Sequence, residues 1–202
     1  MHLDSDFFAR PCLEVAPELL GCRLVHEDSG TRVAGRIVEV EAYLGLGVDP
    51  GSHAYRRSTP RNRVMFGPPG HLYVYRIMGI HLCANIVCEP DGQAAAVLLR
   101  AVEPLEGLEV MQARRGERPT RELTNGPGKL TQAFGVCLED SGRSIIGDLR
   151  IEPSECALEN DILVGPRIGL SEGQDLPYRF FVAGSRFVTP SPLNRRAGPR
   201  RA

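Results

Sequence analysis

Two carboxylates one residue apart, Glu39 and Glu41, followed by Tyr43, are the residues of this 202-residue chain with the clearest chemical potential. They lie in Arg32 to Leu44, where apolar and polar residues alternate. Val38, Val40 and Ala42 then share one face of an expected strand, and Glu39, Glu41 and Tyr43 the other. Strand rise sets two such carboxylates roughly 6.5–7 Å apart. At that separation one carboxylate can activate a water while a second protonates a leaving group, as in inverting glycoside hydrolysis. A solvated strand face accounts for the same alternation without any chemistry. Tyr43 weighs toward a site, because it sets a stacking surface beside a proton acceptor.

A second set follows His53, where Arg56, Arg57, Arg61 and Arg63 crowd into eight positions, with Tyr73 and Tyr75 a little further on. Guanidinium forks match phosphate oxygens, and aromatic rings between basic residues suit single-stranded or extruded bases. A merely solvated loop is the other reading. Gly126-Pro127-Gly128-Lys129 ends like a phosphate-binding loop, but its first glycine would fall at Leu123 and the residue after the lysine is Leu130, so no nucleotide site follows. His81, Cys83 and Cys88 lack the fourth ligand and the paired spacing of a zinc site. Buried apolar cysteines are expected there, and no metal.

These residues need a scaffold, and a composition 42% apolar provides for one core. The formal net charge of −1 argues, taken alone, against a polyanionic partner. Of 24 basic side chains only Lys129 is lysine, so chemistry needing an amine nucleophile has one candidate. Six cysteines without a Cys-x-x-Cys pair read as reduced thiols. Met1 to Arg10 has neither a basic leader nor a long apolar run, so no membrane span and a cytoplasmic location are expected.

Along the chain, a short helix is expected over Pro11 to Leu20, a strand over Arg23 to Glu27, and a turn at Asp28-Ser29-Gly30 before the long strand. Asp49 to Gly70 reads as a long loop of the kind that carries function. His71 to Val87 reads as a strand pair bent at Gly79, and Ala94 to Val102 as a buried strand. Helices are expected from Pro104 to about Arg114, with Leu105, Leu108 and Met111 on one stripe, and from near Gly128, with Leu130, Ala133 and Phe134 inward. Ile151 to Ala157, Asp161 to Val164 and Tyr178 to Ala183 read as short strands. The fold class expected is α+β, a single mixed domain over residues 1–188 around a curved, largely antiparallel sheet. The Arg- and Pro-rich tail, 189–202, has too little apolar surface to order and is expected to be disordered.

Gly35-Arg36-Ile37-Val38-Glu39-Val40-Glu41-Ala42-Tyr43-Leu44-Gly45, Thr59-Pro60-Arg61-Asn62-Arg63 with Met65-Phe66, Leu72-Tyr73-Val74-Tyr75, Cys83-Ala84-Asn85-Ile86, and the run from Val97 to Gly107 together resemble, in this order, the alkyladenine (3-methyladenine) DNA glycosylase family. Agreement at Gly126 to Gln132 and Pro177 to Gly184 extends the likeness from about Leu13 to Val188. The resemblance implies a monomeric enzyme without cofactor, whose partner is double-stranded DNA containing damaged purines. It implies a hairpin entering the minor groove, extrusion of the damaged nucleotide and hydrolysis of its N-glycosidic bond by an activated water. On the matching positions Glu41 is the general base, and Arg100 and the Ile168 carbonyl help hold the water. Tyr43, His53 and Tyr75 sandwich the base, whose positive charge when alkylated favours an aromatic face. Asn85 disfavours guanine through its exocyclic amino group. Met78 stands where better-known members place a tyrosine that fills the gap left by the extruded nucleotide; an apolar, flexible side chain is an accepted wedge. Arg56, Arg57, Arg61 and Arg63 grip the backbone. Because the family works without an amine nucleophile, the resemblance implies a monofunctional enzyme that leaves the strand uncut. A carbohydrate or nucleoside hydrolase using Glu39 and Glu41 as a pair, and a nucleic-acid-binding module without catalysis, are the other readings.

Overall fold

Alternating and apolar runs become the strands of a large antiparallel sheet in the computed structural model, which describes residues 3–28, 30–154, 158 and 161–200. Helices α1 (Ser5–Phe8) and α2 (Cys12–Glu18) precede β1 (Arg23–Asp28) and β2 (Thr31–Tyr43). A long loop leads to β3 (Leu72–Ile77), β4 (His81–Val87) and β5 (Ala96–Glu106). Helices α3 (Leu108–Arg115) and α4 (Pro127–Phe134) follow, and then the short strands β6 (Leu149–Glu152), β7 (Ile162–Gly165), β8 (Arg179–Val182) and β9 (Gly198–Pro199). Strand order is β3-β4-β5-β2-β8-β7-β9, with β1 paired to both β2 and β6. The architecture is thus mixed α and β in one domain around an antiparallel sheet, as its residue pattern indicates.

β2 organises the sheet because both of its edges are occupied. Its first half pairs with β1, its second half with β8, and β5 runs along the other edge. Val38, Val40 and Ala42 join the main core, which includes Val15 and Leu19 of α2 and Leu130, Ala133 and Phe134 of α4. A second, smaller cluster forms where Ala54 and Met65 of the long loop pack on Tyr73, Val87 and Ala96, with Tyr43, Phe66 and Tyr75 at its margin. The loop is therefore a cover for part of the sheet, and its residues Arg63–Phe66 form a 3-10 turn. Asn62, almost fully buried, holds the cover in shape. Its Nδ2 donates to the carbonyls of His53 (2.7 Å) and Arg57 (3.0 Å), while its Oδ1 accepts from the Thr59 N–H (2.6 Å).

Three expectations need correction. The solvated-face reading of Glu39 and Glu41 fails, because both are fully buried. The helix expected from Pro104 begins only at Leu108: Glu103, Pro104 and Glu106 stay in β5 opposite Arg36, Gly35 and Ala34, with a register shift beside Pro104. Proline has no N–H for a regular ladder and is tolerated at such an irregularity. Leu105 accordingly leaves the expected stripe and is partly exposed. The tail is folded as far as it is described: Pro192–Arg196 form a 3-10 turn and Gly198–Pro199 pair with β7. Polar bonds to the core, described below, substitute for the apolar surface it lacks. Ser29 of the expected turn, 155–157 of the expected strand, and 201–202 lie outside the described residues.

Candidate active site

Glu41 lies at the centre of a network that its own strand begins and two distant segments complete. Its Oε2 accepts from the Tyr43 phenol (2.8 Å) and from Arg100 Nη1 (3.1 Å), and its Oε1 accepts from the Ile168 N–H (2.7 Å). Tyr43 reaches Glu41 because residues two apart share a strand face. Arg100 arrives from β5, where register shifts on both sides of Glu39 accommodate it. Ile168 comes from the loop after β7, and its contact with Glu41 is through the amide hydrogen.

Glu39, two residues away, has different work. Its Oε1 accepts from Arg100 Nε (3.0 Å) and Arg179 Nε (2.7 Å), and its Oε2 from the Thr189 N–H (2.7 Å). Burial acts to raise the Glu39 carboxyl, but the Arg100 and Arg179 charges and the Thr189 bond outweigh it and hold it below its ordinary value. Asn194 extends the network by accepting from Arg179 Nη2 (2.7 Å) and donating to the Thr189 carbonyl (3.1 Å). Burial likewise acts to lower Arg100, and Glu41 and Glu39 more than offset it, so its guanidinium stays charged. A carboxylate held ionised between two arginines is unsuited to donate a proton, which removes the basis for a Glu39 and Glu41 acid–base pair.

Beside Glu41 the aromatic residues form a wall. The His53 ring meets Tyr75 edge-on with centroids 4.6 Å apart, and Tyr75 stacks on Tyr73 at 5.2 Å. His53 Nδ1 lies 3.0 Å from the Tyr73 phenol oxygen. Its packed surroundings and the Arg61 charge lower the imidazole pKa, so His53 is neutral at pH 7. Burial pushes the Tyr73 phenol up to about 12, and raises Tyr75 as well. Burial, reinforced by the Glu41 charge, takes Tyr43 well above its ordinary value, so Tyr43 is a hydrogen-bond donor at every pH of interest. Asn85 is buried opposite Tyr73, and its Nδ2 donates to the Tyr73 carbonyl (2.9 Å).

Arg167 and Asp49, to which sequence reasoning gave no role, lock the rear of the site. Arg167 Nη1 and Nη2 meet Asp49 Oδ2 and Oδ1 at 2.6 and 2.5 Å, both side chains being fully buried. Nη1 also donates to the Ala42 carbonyl (3.0 Å), and the guanidinium carbon sits 4.6 Å from the Tyr43 ring centroid and 5.4 Å from that of Tyr178. Only glycine fits at position 51, where a Cβ would lie 2.8 Å from Arg167 Nη2. Asp49-Pro50-Gly51 is a turn-forming string, the one local signal that could have drawn attention to the pair.

The basic loop and the β3–β4 hairpin lie at the rim. Arg61 Nη2 donates to the Arg76 carbonyl (3.3 Å) and its guanidinium carbon is 5.5 Å from the Tyr75 centroid. Arg56, Arg57 and Arg63 are exposed, and their side chains form no hydrogen bond or ion pair among the described residues. At the hairpin tip Met78 is 85% exposed, with Ile80 exposed beside it. Met78 and Gly79 both take left-handed φ, 50° and 74°. Glycine adopts this freely, whereas at methionine it is a strained conformation. Lys129 donates to Asn125 Oδ1 (2.7 Å) at the start of α4. Among the described residues no three His, Cys, Asp or Glu side chains are grouped to hold a metal ion.

Of the residues singled out from the sequence, the structure joins Glu41, Tyr43, Arg100 and Ile168 by direct bonds. It joins His53, Tyr75 and Arg61 by ring contacts, with Asn85 one residue behind through Tyr73. Comparison with known proteins bears on the chain as a whole. The sequence model of the methylpurine-DNA glycosylase family matches residues 6–186. The chain is 50% identical over 194 residues to a protein of Methanoculleus marisnigri, covering 94% of this chain and 99% of the other. It is 47% identical over 191 residues to one from Carboxydothermus hydrogenoformans, with 94% and 99% covered, and 50% identical over 210 residues to one from Chlorobaculum tepidum, with 98% and 97% covered. All three carry the provisional name 3-methyladenine DNA glycosylase.

Proposed function

The chain belongs to the methylpurine-DNA glycosylase family, and we propose on that premise that it releases alkylated or deaminated purines extruded from duplex DNA by hydrolysing the N-glycosidic bond. The observation that carries this reading is the arrangement at Glu41. An ionised carboxylate has about four acceptor positions, and three are used here by Ile168, Tyr43 and Arg100. In this reading the remaining one holds the attacking water. Glu41 takes a proton from that water as its oxygen bonds to C1′ of the sugar, and the electron pair of the N-glycosidic bond leaves with the purine. Arg100 balances the carboxylate charge, and Tyr43 orients it while offering a ring to the base.

An alkylated purine is a cation and leaves readily, so one carboxylate suffices. His53, neutral at pH 7, stacks without repelling such a base. In this reading Asn85 rejects guanine, Met78 fills the vacated stack, and Arg56, Arg57, Arg61 and Arg63 hold phosphates. The product is an abasic site in an unbroken strand, since no step uses an amine.

Single-turnover base release from duplexes each carrying 3-methyladenine, 7-methylguanine, hypoxanthine or ethenoadenine tests the reading. Free damaged purine and an intact strand are expected. Strand scission without added alkali, or hydrolysis of free nucleosides with no release from duplexes, would contradict it.

A further inference from the structure

Arg167 is fully buried and many times bonded, yet none of its hydrogen bonds goes to Glu41 or to a surface that a duplex could reach. Its partners instead tie the loop after β7 to the end of β2: Asp49, the Ala42 carbonyl and the Gly173 carbonyl (3.0 Å) fix the guanidinium between the Tyr43 and Tyr178 rings. The next residue along, Ile168, donates to Glu41. One side chain thereby sets both the ring at the base site and an amide on the carboxylate.

We propose that Arg167 is a positioning and specificity-determining residue of this site, holding Tyr43 from behind and limiting how strongly that ring attracts cationic purines relative to neutral ones. The inference rests on the glycosylase reading above. An aromatic face attracts a cation through its quadrupole. A guanidinium already on one face draws on the same electron density and repels a second cation across the ring. Arg61 beside Tyr75 is solvent-exposed and screened by salt, whereas Arg167 is buried against Asp49, its ion-pair partner. Neutral damaged purines lose nothing to this arrangement, so Arg167 narrows the gap between the two classes.

The test compares single-turnover release of 3-methyladenine, cationic while attached to the sugar, with release of hypoxanthine, which is neutral. Arg167→Gln combined with Asp49→Asn replaces the ion pair by an amide pair; the ratio of cationic to neutral release should rise roughly threefold or more, the low end of a cation–π contribution. Asp49→Asn alone leaves the Arg167 charge less compensated and should move the ratio the other way. Arg167→Lys keeps the charge without the fork, and should slow both reactions while leaving the ratio near that of the parent. Because Asp49→Asn and Arg167→Lys shift or preserve the ratio independently, failure of the double variant to fold does not end the test. If all folded variants slow both lesions by one common factor, Arg167 is only structural and the inference is overturned. A parent protein that releases neither base overturns the functional reading itself, and this inference with it.

Discussion

Glu39 and Glu41 are the same functional group on the same strand face, and their neighbours give them different work. Glu41 is held by one amide, one phenol and one guanidinium, three of the about four bonds a carboxylate can accept. Glu39 is enclosed by two guanidinium groups and the Thr189 N–H. Replacing Glu39 by glutamine leaves Arg100 and Arg179 short of a counter-charge, and breaking a buried pair costs about 3–5 kcal/mol. We expect a loss of that order in denaturant melts. The pH dependence has a definite sign: the folded-state pKa of Glu39 lies below its ordinary value of 4.5. Its contribution to stability is thus present above pH 4.5 and is lost as the pH falls below that, through the folded value. Stability measured against pH should fall less steeply below pH 4.5 in Glu39→Gln than in the parent. A variant that melts like the parent while losing all base release would restore the acid–base pair. Glu41 and Tyr43 were legible from a period of two. The burial of Glu39 was not, because it depends on Arg179 and Thr189, far along the chain, and the Arg167 pair with Asp49 spans 118 residues.

At the scale of elements, the β3–β4 hairpin and the C-terminal segment carry distinct predictions. Met78 at the tip makes an apolar projection flanked by Ile77 and Ile80. Met78→Ala should weaken binding to a duplex with an extruded purine more than binding to undamaged duplex, as equilibrium titrations at one salt concentration would show; equal losses on both would remove the wedge role. The segment after Val188 is bonded to Glu39 and Arg179 through Thr189 and Asn194. Hydrogen bonds to charged groups are each worth about 1.5–3 kcal/mol. Truncation after Val188 should therefore lower the melting temperature and base release together, where a disordered tail could be removed without effect. Strands were readable because their period is short and local. The tail was misjudged because its ordering comes from polar bonds to buried charges, which composition does not reveal. The helix expected at Pro104 starts late because β5 keeps its ladder with β2, a tertiary preference over a local signal.

For the whole molecule, a net charge of −1 says little about what DNA meets. Charge is distributed by face, and Arg56, Arg57, Arg61 and Arg63 are all exposed along the loop that covers part of the sheet. Each phosphate contact adds roughly 0.9 to the slope of log affinity against log salt. Arg56→Ala and Arg57→Ala should each reduce that slope by about this amount if they hold phosphates, and an unchanged slope would place them off the interface. No helix among the described residues is long and apolar enough to cross a membrane. β2, β5 and the loop after β7 converge on one carboxylate, and the account is decided there. Glu41→Gln preserves the shape and most hydrogen bonds of the site while removing the base, so the decisive measurement pairs equilibrium binding with single-turnover release on one damaged duplex. The account predicts parent-like affinity with release slowed by about 10²–10⁴-fold, the range of a general base; release at the parent rate with affinity unchanged would contradict it.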